Sequence, residues 1–295
     1  MILLRKLVSK GASAAQKRQQ RRVNQNIHQI TKKLTEQPKE PEQPEEPEQP
    51  EEPEQLLSDL PRRDFFTAQL RKFHAVKDYS TLKSVVLQDK FQTSQFEIEH
   101  TEHTVLSTDS IIDSIAQELK PPTVHRSLFP VVVVGDGNCL FRSVSVGIFG
   151  NEDHHEELRS RVVMELVLSE VVFLDDDNLY DYFWNAGSFQ GQGHDLSDLK
   201  SLFRNEVLQT TRLREYGSYL QVQALANVVG CSIISHHPEK GPLVNRNILT
   251  RQFFPRQQSN SLPIDIMWSS CREDMPDDYW VPNHVVALLK IDLIR

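Results

Sequence analysis

The alternation of apolar and polar positions divides the chain into three textures. Through residue 55 apolar residues are sparse, and "PEQPEEPEQPEEPEQ" at 41–55 contains none. Regular proline removes helix donors there and the glutamates repel one another, so 41–55 is an extended, solvated spacer and 1–55 a disordered region. Between 56 and 124 apolar residues return at helical spacing. "FFTAQLRKFHAV" (65–76) and "DSIIDSIAQELK" (109–120) predict amphipathic helices, the second capped by Asp109 or Ser110 and stopped before Pro121 and Pro122. From His125 onward the texture is that of an α/β domain. Leu158, Val162 and Leu166 mark one face of a helix in "HHEELRSRVVMELVLSE", and "REYGSYLQVQALANVVG" predicts another that Gly230 ends. "CSIIS", "PIDIMWS" and "HVVALLK" are short apolar or β-branched runs with polar or proline-bearing flanks, which predicts buried strands. The expected organisation is 1–55 tail and linker, 56–124 helical segments, and 125–295 the α/β domain.

Charge changes this picture little. The net charge of -8 comes from 41 acidic and 33 basic residues, with many acids in the 41–55 tract, so it argues for no nucleic-acid partner. Residues 1–35 are basic and contain no acid, which reads as a weakly helical tail that meets a nuclear import receptor or nothing or, as the second reading, a mitochondrial transit peptide. No apolar run approaches the roughly 20 residues of a membrane span. Three cysteines, Cys139, Cys231 and Cys271, form no C-x-x-C pair and no zinc-finger spacing. The expectation is a cytoplasmic or nuclear monomer with no metal and no cofactor.

One cysteine stands at a break in the pattern. In "VVVVGDGNCLFRSVSVGIFG" (131–150) an apolar run stops at Gly135 and Gly137 and restarts as the helical run "CLFRSVSVGIF". A dinucleotide turn is excluded because its third glycine falls at Leu140, and no P-loop pattern exists. What remains is a tight turn that presents Asn138 and Cys139 at a helix start. Unpaired N–H groups and the positive dipole end favour a thiolate there and can receive an oxyanion. Cys231, inside "VVGCSII", reads as core, and Cys271 as a loop thiol. The imidazole that such a thiol needs is supplied by His284 in "WVPNHVVALLK", at the opening of an apolar strand. His154 and His155 open a helix, His194 sits in a glycine-rich loop, and His236 and His237 precede Pro238; His74, His100 and His103 read as surface or packing residues.

At these residues the chain resembles the OTU (ovarian tumour) family of cysteine proteases, which act as deubiquitinases. The likeness rests on "GDGNCLFRSVS" (135–145), "HHEELRSRVV", "EYGSYLQVQALANVVGCSI" (215–233) and "PNHVVALL" (282–289), in that order. It implies a papain-like α/β fold with a central β-sheet flanked by helices. It also implies Cys139 as nucleophile, His284 as general base, Asp136 as the active-site aspartate, and backbone donors of the turn at Gly137 and Asn138 as the oxyanion hole. The implied partner is ubiquitin or a polyubiquitin chain, cleaved after ubiquitin's C-terminal glycine. A papain-type protease is excluded by the missing C-G-[SA]-C-[WY] signature.

One departure from the family pattern concerns the third group. Many members place an acid or amide two residues after the histidine, where this chain has Val286. Asp292 has the right parity, but eight strand residues span about 26 Å, too far for a hydrogen bond. Asn283, Asp265 and Asp136 are the candidates for orienting His284. The alternative function is an OTU-like module that binds ubiquitin without efficient hydrolysis. The acidic, glycine-bearing loop at 175–195 is the candidate for substrate choice.

Overall fold

The computed structural model describes residues 61–100, 110–177, 179, 182–183, 196–257, 261–270, 277 and 280–290. The basic tail, the proline–glutamate spacer, Asp109, His103, His194, Cys271, Asp292 and most of the 175–195 loop lie outside the described residues. In chain order the elements are α1 (Arg62–Ala75), α2 (Tyr79–Thr93), α3 (Ser114–Leu119), β1 (Leu128–Val131), α4 (Cys139–Phe149), α5 (His155–Leu168) and α6 (Glu170–Leu174). They continue with α7 (Leu196–Thr210), α8 (Tyr219–Val229), β2 (Ile233–His236), α9 (Leu243–Leu249), β3 (Arg251–Phe253), β4 (Ile264–Ser269) and β5 (His284–Lys290).

The strands form one mixed sheet in the order β1-β5-β4-β2-β3. β5 is central to the site: it pairs antiparallel with β1 on one side and with β4 on the other, in a register that sets Ser269 opposite His284 and Asp265 opposite Leu288. β4 and β2 run parallel, which requires the crossover through α9 and β3. Two helical layers bury the sheet. On one face Val131, Ala287 and Leu289 meet Val146 of α4, while Val285, Ile264 and Ile266 join the main core around α5. On the other face Met267, Val286 and Leu288 are covered by Ala116 of α3 together with Val124 and Leu128. A strand buried on both faces reads as a continuous apolar run, and "VVALL" is that run.

α5 is the hub of the helical layer. Its Leu158, Val162 and Leu166 are fully buried, as their spacing predicts. Against it pack α1 and α2, whose Phe65, Phe66, Leu70, Phe73, Leu82 and Val86 are buried. A buried polar chain joins the three helices: Ser160 Oγ donates to Gln69 Oε1 at 2.6 Å, and Gln69 Nε2 donates to Thr93 Oγ1 at 2.7 Å. α8 ends at Gly230, which takes φ 67° and donates its N–H to Ala226.

One local expectation is corrected. The helix drawn over 109–120 occupies only Ser114–Leu119 and is capped by Asp113, which accepts from the Ala116 N–H at 2.8 Å. Ile111 and Ile112 instead lie alongside β1, with Ile112 bridged to Val131 and the Val132 N–H donated to the Ile111 carbonyl. The run of valines, to which the pattern assigns no element, divides between strand and turn. The chain leaves the sheet after Val131, and Val132 and Val134 are exposed because they enter the turn.

Candidate active site

Four residues, Asp136 to Cys139, build the turn. Asp136 accepts from the Asn138 N–H at 2.9 Å and from Asn138 Nδ2 at 3.0 Å, an aspartate-closed turn. From the first turn of α4, Arg142 Nη2 returns to Asp136 at 2.9 Å, and its Nη1 reaches Glu152 at 3.1 Å. Burial alone would raise the Asp136 carboxyl. The hydrogen bonds from Arg142 and Asn138, with the arginine charge, instead hold it well below the usual carboxylate range. Asp136 is therefore an anion that shapes the turn.

Gly137 is the residue this turn cannot replace. It takes φ 87°, and a Cβ there would lie 2.1 Å from the Arg214 carbonyl oxygen. Asn138 fixes the same neighbour from its side chain, with Oδ1 accepting from the Arg214 N–H at 3.1 Å. The oxyanion expectation does not extend to the whole turn. The Asn138 N–H is committed to Asp136, and the Asp136 N–H to the Val134 carbonyl.

Cys139 follows as the first residue of α4 and is 2% exposed. One turn later, the hydroxyl of Ser143 points at two carbonyls, that of Cys139 at 2.7 Å and that of Val285 at 3.0 Å. A single side chain thus ties the cysteine's own peptide to the residue after His284. The helix that carries the thiol and the strand that carries the imidazole are joined at those positions. Cys231 provides the contrast: buried at the end of α8 without a charged partner, its thiol is pushed up to about 12 by desolvation.

His284 opens β5 and is 5% exposed. Its Nδ1 has no hydrogen-bond partner among the described residues. Burial pushes the imidazole below its usual value, and the negative charge of Asp113 works in the opposite sense. Of the orienting candidates, Asp265 is ruled out by register. It faces Leu288, four residues along β4 from Ser269, or about 13 Å. Its carboxylate is taken by His236 Nε2 at 2.8 Å. Asn283 contributes its backbone N–H, which enters the sheet on the Ser269 carbonyl at 3.1 Å. Val286 is fully buried in the apolar layer under α3. Four further histidines among the described residues are engaged elsewhere: His155 on the Glu152 carbonyl, His237 on that of Pro238, His154 stacked on Phe149, and His100 on the Val229 carbonyl.

Two residues at the site escaped the sequence reading. Asp113 stands before "SIAQEL" inside a run whose expected cap is Asp109 or Ser110, and nothing in that run points to His284. Arg159 lies under the turn, where an arginine in "ELRSRVV" gives no sign of burial in sequence.

The comparisons with known proteins meet at one class, an OTU domain, matched over part of the chain. Residues 130–269 match the family model described as "Vertnin, OTU domain". Among curated proteins, mouse Vertnin is 26% identical over 153 residues, covering 49% of this chain and 20% of that protein. Zebrafish Vertnin is 27% identical over 190 residues, covering 60% of this chain and 28% of that protein. The match to this chain therefore spans between a fifth and a third of the length of these relatives. Among solved structures, the viral OTU domain protease from Farallon virus aligns with 13% identity and a TM-score of 0.37, covering 67% of this chain and 99% of that one. His284 lies beyond the end of the matched family segment.

Proposed function

We propose that this domain is a cysteine-type deubiquitinase that hydrolyses the isopeptide or peptide bond at the C-terminal glycine of ubiquitin or a polyubiquitin chain. The observation that carries the reading is the Ser143 link between the peptide of Cys139 and that of Val285, which joins a helix-terminal thiol to the strand that begins at His284. In the proposed reaction the Cys139 thiol gives its proton to His284 and the thiolate attacks the carbonyl carbon of the glycine. The imidazolium then protonates the departing amine, leaving a thioester. Water, deprotonated by His284, cleaves that thioester and restores the thiol. N–H groups at the start of α4 offer the positive pole for the oxyanion.

A second reading is favoured by one specific observation: His284 Nδ1 is buried with no hydrogen-bond partner among the described residues, and the side chain of Val286 cannot supply one. On that reading the domain binds ubiquitin and hydrolyses it poorly. Release of a fluorescent amine from the C-terminus of ubiquitin separates the two. The proposed function predicts turnover that falls by at least about a thousandfold in Cys139→Ala and is unaffected in Cys231→Ala. Binding without turnover in the unaltered chain would establish the second reading instead.

A further inference from the structure

Arg159 is 1% exposed, with no carboxylate at ion-pair distance among the described residues. Its guanidinium is held by four main-chain carbonyls. Nη1 donates to Thr210 at 3.2 Å and Arg212 at 2.9 Å, and Nη2 donates to Gly137 at 3.2 Å and Glu215 at 2.8 Å. Its carbon lies 4.2 Å from the centre of the Phe141 ring. Gly137 and Phe141 are the residues two before and two after Cys139. The cation thus touches both flanks of the thiol, and by three further carbonyls it fixes the 210–215 segment on which Gly137 and Asn138 rest.

We propose that Arg159 is a positioning residue for the turn and the buried counter-charge of the Cys139 thiolate. A cation taken out of water and held only by dipoles is favourably neutralised by any anion that forms beside it. Ionising Cys139 supplies that anion, its proton passing to His284 or to water. The other charged groups near the guanidinium are Asp136 and Glu215. Asp136 is already paired with Arg142, and Glu215 meets Arg159 through its carbonyl. Burial lowers Arg159 to about 10, and Cys139 leads the charges that oppose this fall. At neutral pH the guanidinium keeps its proton. The inference rests on Cys139 being the reactive thiol of the proposed function, but it concerns ionisation and needs no ubiquitin.

The test is therefore alkylation of each thiol by iodoacetamide across pH, read by peptide mass mapping in the full chain. Cys231 is the internal reporter of folding, since desolvation pushes its thiol up to about 12 and so keeps it protonated and unreactive until the domain opens. Arg159→Met is expected to raise the midpoint of Cys139 alkylation by roughly one to two pH units while Cys231 stays protected. Arg159→Lys, which keeps the charge and loses the fork of carbonyl bonds, is expected to raise it by less than half as much. An unchanged midpoint in folded Arg159→Met overturns the proposal. If Arg159→Met exposes Cys231, His284→Ala decides, because it leaves the arginine in place. A Cys139 midpoint that stays clearly below the ordinary thiol value of about 8.5 supports the proposal, and one at or above that value overturns it. Lack of ubiquitin hydrolysis with these shifts present would count against the proposed function alone.

Discussion

At the residue scale, the group that balances His284 is an acid far from it in sequence. Asp113 both caps α3 through Ala116 and sets its negative charge against the imidazole. The two roles separate by substitution, because asparagine caps a helix as well as aspartate does but carries no charge. In Asp113→Asn the His284 pKa, read from the titration of its ring protons, is expected to fall further below the usual histidine value while α3 stays formed. A midpoint that does not move would remove Asp113 from the site. The sign carries into stability. A folded imidazole that resists protonation withdraws stability as pH falls through the unfolded value near 6.5. That loss extends to lower pH in Asp113→Asn.

At the scale of elements, the helices before the motif are part of what holds α5 in place. Glu157, 4% exposed on α5, receives a two-bond clasp from Arg62 of α1, with both contacts at 2.8 Å, and a third bond from Arg161 at 2.9 Å. Burial alone would raise its carboxyl, but the two arginines keep it below the usual range. Glu157→Ala leaves these cations without their anion. The expected loss is about 2 kcal/mol or more of unfolding free energy in urea, below the range for fully buried pairs because Arg62 is 31% exposed. A loss under about 0.5 kcal/mol would mean that α1 is an appendage. The same scale explains which elements were legible. α4 and β5 occupy the runs "CLFRSVSVGIF" and "HVVALLK" that the pattern marked, because an apolar run bounded by a turn on one side leaves one solution. The start of α3 was less legible, since Ile111 and Ile112 are apolar yet lie alongside β1 instead of joining the helix. Periodicity cannot tell an apolar residue that pairs from one that packs.

At the scale of the whole molecule, local pattern stops and long-range pairing decides. The sheet order and the register of β4 on β5 are set by contacts between distant segments, which is why Asp265 was a reasonable orienting candidate in sequence and is removed by four residues of register. Arg159 was hidden for a related reason: a charged residue within a helical stripe reads as a solvated face until the fold closes four carbonyls around it. Cys139 and His284 were legible because each sits at the boundary of an element, where sequence signals are strongest. The central claim, that these two residues form a working nucleophile and base, is tested most directly by a ubiquitin whose C-terminus carries an electrophile. The account predicts a covalent adduct at neutral pH, mapped to Cys139, abolished by Cys139→Ala and retained by Cys231→Ala. No adduct on the folded chain, or an adduct that survives Cys139→Ala, would contradict it.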